Sequence, residues 1–354
     1  MQGVPAMYFS SDNASPVPPQ ILDALAAANE GYAPPYGADN LTENVRARIR
    51  EVFEAPDAAV ELVPTGTAAN CLALALLCPP TAAVFCATEA HIAVDENTGV
   101  GFYTGGAVMK ELTSNRGKID PDAFDRALRR TGSGGVHNIQ KGALTLTNVT
   151  ESGACYSLDE IRTLTDMAKA HHLPVHMDGA RFANALQHLG CTPAEMTWKA
   201  GVDAVSFGGT KNGLMGVETI VLFDPEKHWE LELRRKRAGH LFSKHRYLAA
   251  QMDGYLADDL WLKNAAHAND MALKLQEALE GVGAVITNPA EGNMLFASLP
   301  RKLHRQALEG GASYYLWPFA QSLMGPDDEP LTARYVASWN TSDQMIADLI
   351  ALYA

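Results

Sequence analysis

Residues 173–214 constrain the fold of this chain more than any other stretch. They contain two short apolar segments, the first followed by Asp178 and the second by Lys211, with a mostly helical pattern over residues 182–200 between them. Short apolar runs of this kind predict buried strands. Strand, helix and strand running in one direction form the unit of a doubly wound parallel sheet. We therefore predict an α/β fold with Asp178 and Lys211 at one edge of its sheet, where ligands bind.

The length of 354 residues predicts two domains of unequal size. We expect a large α/β domain over residues 1–240, including an N-terminal arm. A smaller α+β domain is expected over residues 241–354, where long helices precede shorter strands. The net charge of −13 argues against nucleic acid or a membrane as a partner. Five cysteines without a CxxC pair, and histidines without metal-ligand spacing, predict a cytoplasmic protein with no metal site.

Two local predictions concern the region before this stretch. Residues 99–109 are rich in glycine and predict a turn region. Asn40 is the expected cap of a helix over residues 41–53, with Glu43 completing the capping pattern.

An acid and an amine at one sheet edge match the needs of a pyridoxal phosphate enzyme. Glycines around Lys211 would let the backbone approach a bulky cofactor, and burial would lower the pKa of the amine and make it a nucleophile. A buried Asp178 could keep the pyridine nitrogen of the cofactor protonated. Arg181, three residues further on, could grip a carboxylate in the same pocket. Alternatively, Lys211 lies in a surface turn, Asp178 is a structural carboxylate and Arg181 forms a surface salt bridge.

Other candidates lie at the ends of further predicted strands. Gly66 and Thr67 begin an uncharged helix, whose free amides could bind a phosphate, although an ordinary threonine cap explains them equally well. Arg235, in the basic run of residues 234–237, could supply a cation or lie on a solvated helix face. His91 could stack on a cofactor ring or act as a base, and Glu151 is a second acid/base candidate.

In this order along the chain, several short motifs resemble the low-specificity L-threonine aldolases, which are fold type I pyridoxal phosphate enzymes. The motifs are Ser11-Asp12, Tyr36-Gly37, Thr65-Gly66-Thr67, Glu89-Ala90-His91-Ile92, HMDGAR ending at Arg181, Thr210-Lys211 and Arg334 in RYVASW. The resemblance covers nearly the whole chain. It implies cleavage of L-3-hydroxy-α-amino acids to glycine and an aldehyde, with β-elimination, transamination, racemisation or a non-catalytic binding module as the alternatives.

The resemblance also implies a role for each candidate residue. The cofactor would be held by Lys211, Asp178, His91, Gly66, Thr67, Arg181 and Arg235. The substrate carboxylate would be held by Ser11, Arg181 and Arg334. Tyr36, like part of the basic segment over residues 234–246, would reach the site of a neighbouring subunit in a homo-oligomer, expected to be a tetramer.

Three segments depart from the family pattern, namely YGADN, TNVTESG and GGTKNG. The second replaces an ENTHN-type loop and leaves Glu151 as the nearest acid. The general base therefore stays open among His91, Glu151 and a bound water.

Overall fold

The computed structural model describes residues 7–353. Their strands are β1 (Met7–Tyr8), β2 (Ala59–Val63), β3 (Ala82–Ala87), β4 (Val108–Leu112), β5 (Ser114–Asn115), β6 (Lys118–Ile119), β7 (Gln140–Thr147), β8 (Val175–Gly179), β9 (Ala204–Gly208), β10 (Glu218–Leu222), β11 (Val285–Asn288), β12 (Met294–Pro300), β13 (Ala312–Ser313), β14 (Tyr315–Leu316) and β15 (Pro330–Val336). Their α-helices are α1 (Pro19–Ala28), α2 (Asn40–Val52), α3 (Gly66–Leu77), α4 (His91–Val94), α5 (Gly99–Thr104), α6 (Pro121–Arg130), α7 (Leu158–Lys169), α8 (Phe182–Leu189), α9 (Pro193–Met196), α10 (His228–Arg237), α11 (Arg246–Leu256), α12 (Leu260–Gly281), α13 (Arg301–Glu309) and α14 (Asp343–Ala351).

A seven-stranded sheet forms the centre of the larger part of the molecule, in the order β2-β10-β9-β8-β7-β3-β4. Strand β10 is antiparallel to both of its neighbours, and the remaining neighbours are parallel. Every residue of β2, β3, β8, β9 and β10 is buried, as expected where helices cover both faces of a sheet. The predicted α/β fold with a mostly parallel sheet is therefore confirmed.

A second sheet of four strands, in the antiparallel order β11-β12-β15-β14, has its own core of apolar side chains. The core of the first sheet extends along the chain to Ala265, and that of the second includes Met271, so the change from one to the other falls within α12. The division of the chain at residue 240 stays a prediction. Residues 1–6 and 354, which the predicted domains include, lie outside the described residues. No helix between residues 7 and 353 is long and apolar enough to cross a membrane.

The stretch of residues 173–214 forms strand, helical crossover and strand, as predicted. Asp178 lies near the end of β8 and pairs with Ser206 of β9, and Lys211 lies in a 3-10 helix (Thr210–Asn212) just beyond β9. A Cβ atom at Gly208 would lie 2.5 Å from the carbonyl oxygen of Ala180. Only glycine allows these strand ends to approach so closely, and this approach brings the segments carrying Asp178 and Lys211 together.

Two local predictions were wrong. Residues 99–109 do not form a mere turn region, because α5 occupies Gly99–Thr104 and ends at Gly105, which has a left-handed φ of 81°. Gly105 therefore marks the end of a helix, and the residues before it can adopt the helical conformation. The cap of α2 is Asp39, whose Oδ1 accepts from the main-chain N–H of Thr42 at 2.9 Å, so Asn40 is the first helical residue.

A buried ion-pair cluster joins β2 to two helices. The carboxylate of Glu61, which is fully buried, lies 2.8 Å from Arg46, 2.6 Å from Arg235 and 2.8 Å from His228. Burial alone would raise the pKa of Glu61, but the hydrogen bond from His228 and the two guanidinium groups lower it to about 2. The folded state therefore prefers the charged carboxylate.

We expect Glu61→Gln to lower the free energy of unfolding at neutral pH by roughly 3 kcal/mol, because it leaves Arg235 buried without its carboxylate. The folded pKa is below the ordinary value of 4.5, so the contribution is present above pH 4.5 and declines as the pH falls towards 2. The difference in free energy of unfolding between wild type and variant should therefore become smaller as the pH falls from 4.5 towards 2. Urea unfolding followed by circular dichroism at several pH values tests this, with exposed Glu277→Gln as the control. If wild type and variant differ in free energy of unfolding by the same amount at pH 7 and at pH 3, the prediction is contradicted.

Candidate active site

A cavity of about 720 Å³ opens at the carboxyl ends of the parallel strands, between the two sheets. Nine sequence-predicted residues line it, namely Ser11, Gly66, Thr67, His91, Glu151, Asp178, Arg181, Lys211 and Arg334. Asp12, which is buried and does not itself line the cavity, contacts one of them. Tyr36 and Arg235 are not among the lining residues.

A chain of hydrogen bonds holds the carboxylate of Asp178 at the base of the cavity. Asp178 is only 3% exposed, and its Oδ1 accepts from the main-chain N–H of Ala180 at 2.9 Å. The side-chain amide of Asn70 donates one hydrogen to Asp178 Oδ2 at 2.8 Å and the other to Glu96 Oε1 at 2.9 Å. The same oxygen of Glu96 lies 2.9 Å from His91 Nδ1. Asp178 and His91 are thus fixed relative to each other through two buried side chains.

Sequence reasoning did not identify Asn70 or Glu96. Asn70 is the one polar side chain in the first buried turns of a helix otherwise made of small and apolar residues, which is the signal that could have revealed it. Glu96 follows His91 by five residues, and nothing in the sequence shows that its carboxylate is buried against the imidazole.

The charged neighbours of the cavity shift the pKa values of two site residues upward. The hydrogen bond to Glu96 raises the pKa of His91, although burial opposes it. Burial and the negative charge of Asp178 raise the pKa of Glu151 to about 7. Glu151 Oε1 accepts from the main-chain N–H of His91 at 2.7 Å.

The amine of Lys211 lies in a partly enclosed position in the cavity. Burial and the positive charge of Arg181 lower its pKa, while the carboxylates of Asp12, Asp178 and Glu218 oppose that change. Glu218 accepts from the main-chain N–H of Gly209 at 2.7 Å, and burial raises the pKa of its carboxyl to about 7. An amine with a lowered pKa is more often neutral and therefore a better nucleophile.

Arg181 is held by Asp12, which belongs to the Ser11-Asp12 motif but was given no role of its own in the sequence analysis. Arg181 Nε and Nη2 donate to the two oxygens of Asp12 at 2.7 and 2.9 Å, in a two-pronged geometry. Asp12 also accepts from the side-chain amide of Asn293 at 3.0 Å. Burial would raise the pKa of Asp12, but the charges of Arg181 and Lys211 outweigh burial and lower it. The surface salt bridge considered for Arg181 is thus a buried pair.

The N-terminal segment of residues 7–13 crosses between the two sheets. Met7 pairs with Ala312, and the carbonyl oxygen of Phe9 accepts from the main-chain N–H of Val336 at 2.9 Å. Arg334 Nη2 donates to the carbonyl oxygen of Ser10 at 3.2 Å, and the Arg334 guanidinium lies 5.0 Å from the ring centre of Trp317. This segment therefore carries Ser11 into the cavity beside Arg334.

The N-terminus of α3 faces the same cavity. Thr65 is the cap, since its Oγ1 accepts from the main-chain N–H of Ala68 at 3.2 Å. Thr67 is therefore not the cap, and both Gly66 and Thr67 belong to the first turn, whose amides have no partner within the helix. A Cβ atom at Gly66 would meet nothing within 4 Å, so open space lies in front of this turn. These features suit an anion.

The structure does not place Arg235 in the lining of the cavity of its own chain, so the cofactor-binding role expected for it stays a prediction. Its side chain is 0% exposed and lies 2.6 Å from Glu61 and 2.6 Å from Glu232. These two carboxylates neutralise the positive charge of the Arg235 guanidinium. Tyr36 is 47% exposed and lies 4.8 Å from the ammonium of Lys236, so its reach into another subunit stays a prediction.

Two groups of possible metal-ligating side chains lie among residues 7–353, one of Cys155, His188 and Glu291 and one of Glu61, His228 and Glu232. None of these six residues lines the cavity. The carboxylates of Glu61 and Glu291 already pair with arginines, Glu291 with Arg116 at 2.6 Å. The expectation of no metal site stays a prediction.

Comparison with protein families gives a match to the beta-eliminating lyase family over residues 9–301. The chain is 38% identical to the low specificity L-threonine aldolase of Pseudomonas aeruginosa, over 96% of this chain and 95% of that protein. It is 36% identical to the low specificity L-threonine aldolase of a Pseudomonas species, over 98% of this chain and 96% of that protein.

The fold resembles that of solved structures. A threonine aldolase of Leishmania major superposes with a TM-score of 0.88 at 27% identity, over 98% of this chain and 99% of that one. Aspartate aminotransferase of Thermotoga maritima superposes with a TM-score of 0.71 at 14% identity, over 98% of this chain and 90% of that one. At such low identity the second likeness concerns the fold alone.

Proposed function

Because the chain belongs to the beta-eliminating lyase family and to the low-specificity L-threonine aldolases, we propose that it cleaves L-3-hydroxy-α-amino acids into glycine and an aldehyde. It is a pyridoxal phosphate-dependent carbon–carbon lyase, and L-threonine is its reference substrate. One observation carries the proposal for the site: an amine, a buried carboxylate and a helix N-terminus meet in one cavity at the ends of parallel strands.

The residues of this cavity fit pyridoxal phosphate. Several buried polar atoms of lining residues have no hydrogen-bond partner among residues 7–353, namely Asn70 Oδ1, Glu151 Oε2, Thr210 Oγ1 and Arg334 Nε. Buried polar atoms are normally paired, so their concentration here indicates a polar ligand. When bound, pyridoxal phosphate supplies an electron-withdrawing ring that accepts the electron pair of the bond broken at Cα.

Each element of the cofactor has a matching group in the chain. Lys211 offers the amine for covalent attachment, and Asp178 offers the buried carboxylate that keeps a pyridine nitrogen protonated. His91, whose ring is fixed by Glu96, would cover the ring of the cofactor. The first turn of α3, containing Gly66 and Thr67, offers amides for the phosphate. Arg235 is left out of this set because it is buried elsewhere.

The substrate carboxylate is assigned to Arg181, Arg334 and Ser11. All three line the cavity. Arg181 uses Nε and Nη2 for Asp12, and its Nη1 has no hydrogen-bond partner in the described part of the chain, so one donor is left for a ligand. Burial and the repulsion from the nearby charge of Arg181 lower the pKa of Arg334, although the negative charge of Asp12 opposes them. An amino-acid carboxylate would relieve that repulsion.

To test the proposed function, the purified protein is first supplied with pyridoxal phosphate. It is then incubated separately with L-threonine, L-allo-threonine and L-phenylserine. We expect equal amounts of glycine and the matching aldehyde, measured by chromatography. Formation of oxo acids with ammonia would indicate β-elimination. A requirement for an acceptor of the amino group would indicate transamination, and formation of D-amino acids would indicate racemisation. If the protein binds the cofactor but forms no product, it is a binding module. D-threonine is the control, and no aldehyde from any L-substrate would contradict the proposal.

We also propose a homo-oligomer, a tetramer built as a dimer of dimers, in which Tyr36 approaches a neighbouring site. Support comes from large apolar side chains exposed on the surface, namely Tyr32, Tyr36, Phe102, Trp229, Leu233 and Phe242. Exposed apolar side chains that form a contiguous patch mark an interaction surface, and these six are the candidates for one. The mass of the purified protein is measured by light scattering, and the mass of a monomer would refute the proposal. A cytoplasmic location stays a prediction, with five cysteines that form no disulfide as its support.

A further inference from the structure

Glu151 occupies a distinctive place at the rim of the cavity. The strand before it, β7, ends at Thr147, which pairs with Asp178, so Glu151 follows the strand next to the Asp178 strand. Its Oε1 is held by the main-chain N–H of His91 at 2.7 Å. Its Oε2 is buried and has no hydrogen-bond partner in residues 7–353. One oxygen therefore fixes the carboxyl group, and the other is left for a proton or a ligand.

His91, the alternative base, is committed to another carboxylate. Its Nδ1 lies 2.9 Å from the buried Glu96, and this contact raises the pKa of the imidazole. The carboxylate of Glu96 can only accept, so Nδ1 carries the proton of this hydrogen bond and the ring is held in one orientation. That orientation suits His91 to covering a ring, whereas Glu151 Oε2 has no hydrogen-bond partner in residues 7–353.

We propose that Glu151, and not His91, takes the proton from the β-hydroxyl group of the substrate. The proposal rests on the proposed function, because only a 3-hydroxy amino acid offers this proton. As the O–H bond breaks, its proton passes to Glu151 Oε2 and its electron pair forms the carbonyl of the aldehyde. The Cα–Cβ bond breaks in the same step, and bound pyridoxal phosphate would supply the acceptor for its electron pair. Cα then takes up one proton to give glycine, which balances the one that Glu151 has received.

The surroundings of Glu151 suit a group that both accepts and releases a proton. Burial and Asp178 on β8 raise the pKa of its carboxyl to about 7, while His91 on α4 opposes them. The charge of Glu151 also acts on Cys86 on β3 and on Tyr156 in the loop after β7. Burial raises the pKa of both side chains, so they are uncharged at neutral pH. A base is most effective when its pKa lies near the working pH. The rate of cleavage should therefore increase with pH through about 7.

Glu151→Gln separates the proposed role from a structural one. The amide oxygen of glutamine can still accept from the main-chain N–H of His91, but glutamine cannot take a proton. We expect kcat for L-threonine cleavage to fall about 100-fold or more, and the increase of rate with pH near 7 to disappear. Cofactor absorbance and the exchange of glycine α-hydrogens in deuterium oxide should remain, because neither involves the hydroxyl proton. Glu111→Gln, at an exposed carboxylate on β4, is the matched control.

A second variant guards against misfolding of the first. Glu151→Asp keeps a carboxylate and should retain more activity than Glu151→Gln, with a displaced pH dependence. Cleavage by Glu151→Gln within about threefold of wild type would overturn the proposal. So would parallel loss of glycine exchange and cofactor absorbance, which would show a structural role. If the wild-type protein exchanges glycine hydrogens but cleaves no hydroxy amino acid, the proposed function itself fails, and the role of Glu151 fails with it.

Discussion

Lys211→Ala is expected to reduce glycine formation from L-threonine by on the order of 10⁴-fold or more. The variant lacks the amine that we propose for attachment of pyridoxal phosphate, and removal of a covalent group is among the most damaging changes in an active site. Burial and Arg181 lower the pKa of Lys211, so the wild-type amine is prepared for this attachment. Among residues 7–353, no other lysine lines the cavity.

The measurement combines activity with covalent attachment. Wild-type protein is reduced with borohydride in the presence of the cofactor, digested and examined by mass spectrometry, which should show the added mass on the peptide containing Lys211. The variant should show none and should lack the absorbance of the lysine-bound cofactor. Lys263→Ala, at an exposed position in α12, is the control and should behave as wild type. Retention of the absorbance by Lys211→Ala would show that another amine holds the cofactor.

Asp178→Asn is expected to reduce cleavage by about 10³-fold. A charge pair about 4 Å apart in a partly buried site is worth of order 4 kcal/mol, and each factor of ten in rate corresponds to about 1.4 kcal/mol. Asparagine has nearly the shape of aspartate but no negative charge, so a protonated pyridine nitrogen would lose its partner. The side-chain amide of Asn70, which now donates to Asp178 Oδ2 at 2.8 Å, could still donate to the new side-chain oxygen. The new amide nitrogen would then face the main-chain N–H of Ala180, so that hydrogen bond is lost while the side-chain volume is nearly unchanged.

Cofactor spectra and steady-state kinetics are the readouts for Asp178→Asn. We expect the variant to bind the cofactor more weakly, with a large decrease in kcat and a smaller change in KM. The exposed carboxylate Asp166 on α7 provides the control, as Asp166→Asn. A variant that retains more than about one tenth of wild-type kcat would show that Asp178 does not supply the charge on which the reaction depends.

The fold and the centre of the site were predictable because the necessary signals are local. The apolar segments before Asp178 and Lys211 are short and uninterrupted, and glycines mark the close approach at Gly208. The order of such elements along the chain determines the sheet edge at which their ends meet. The positions of Asp178 and Lys211 in one cavity thus followed from the pattern of a single stretch.

The supporting residues were not predictable, because their partners are distant in sequence. Asp12 and Arg181 are 169 positions apart, and Asn70 and Asp178 are 108 apart. A lone aspartate after a serine, or an asparagine in a helix, has the same local appearance whether or not it meets such a partner. Only the three-dimensional packing shows that these side chains orient the charged groups of the cavity.

The role expected of Arg235 illustrates the opposite difficulty. A run of four basic residues normally lies in solvent, and from there it could reach a phosphate. One of the four instead faces Glu61, an acid within the otherwise apolar segment VELV. A single charge in a buried strand requires a partner, and this requirement was the available clue.

The crossing of residues 7–13 between the two sheets sets an order of events during synthesis. Ser10 meets Arg334, which follows it by 324 positions, and β1 pairs with β13. A growing chain can complete the seven-stranded sheet, with Asp178 and Lys211 in place, while residues 312–336 are still unmade. Residues 7–12 must wait for them before they can dock. The side of the cavity formed by Ser11 and Arg334 is therefore the last to be assembled, and a chain interrupted before residue 334 would lack it.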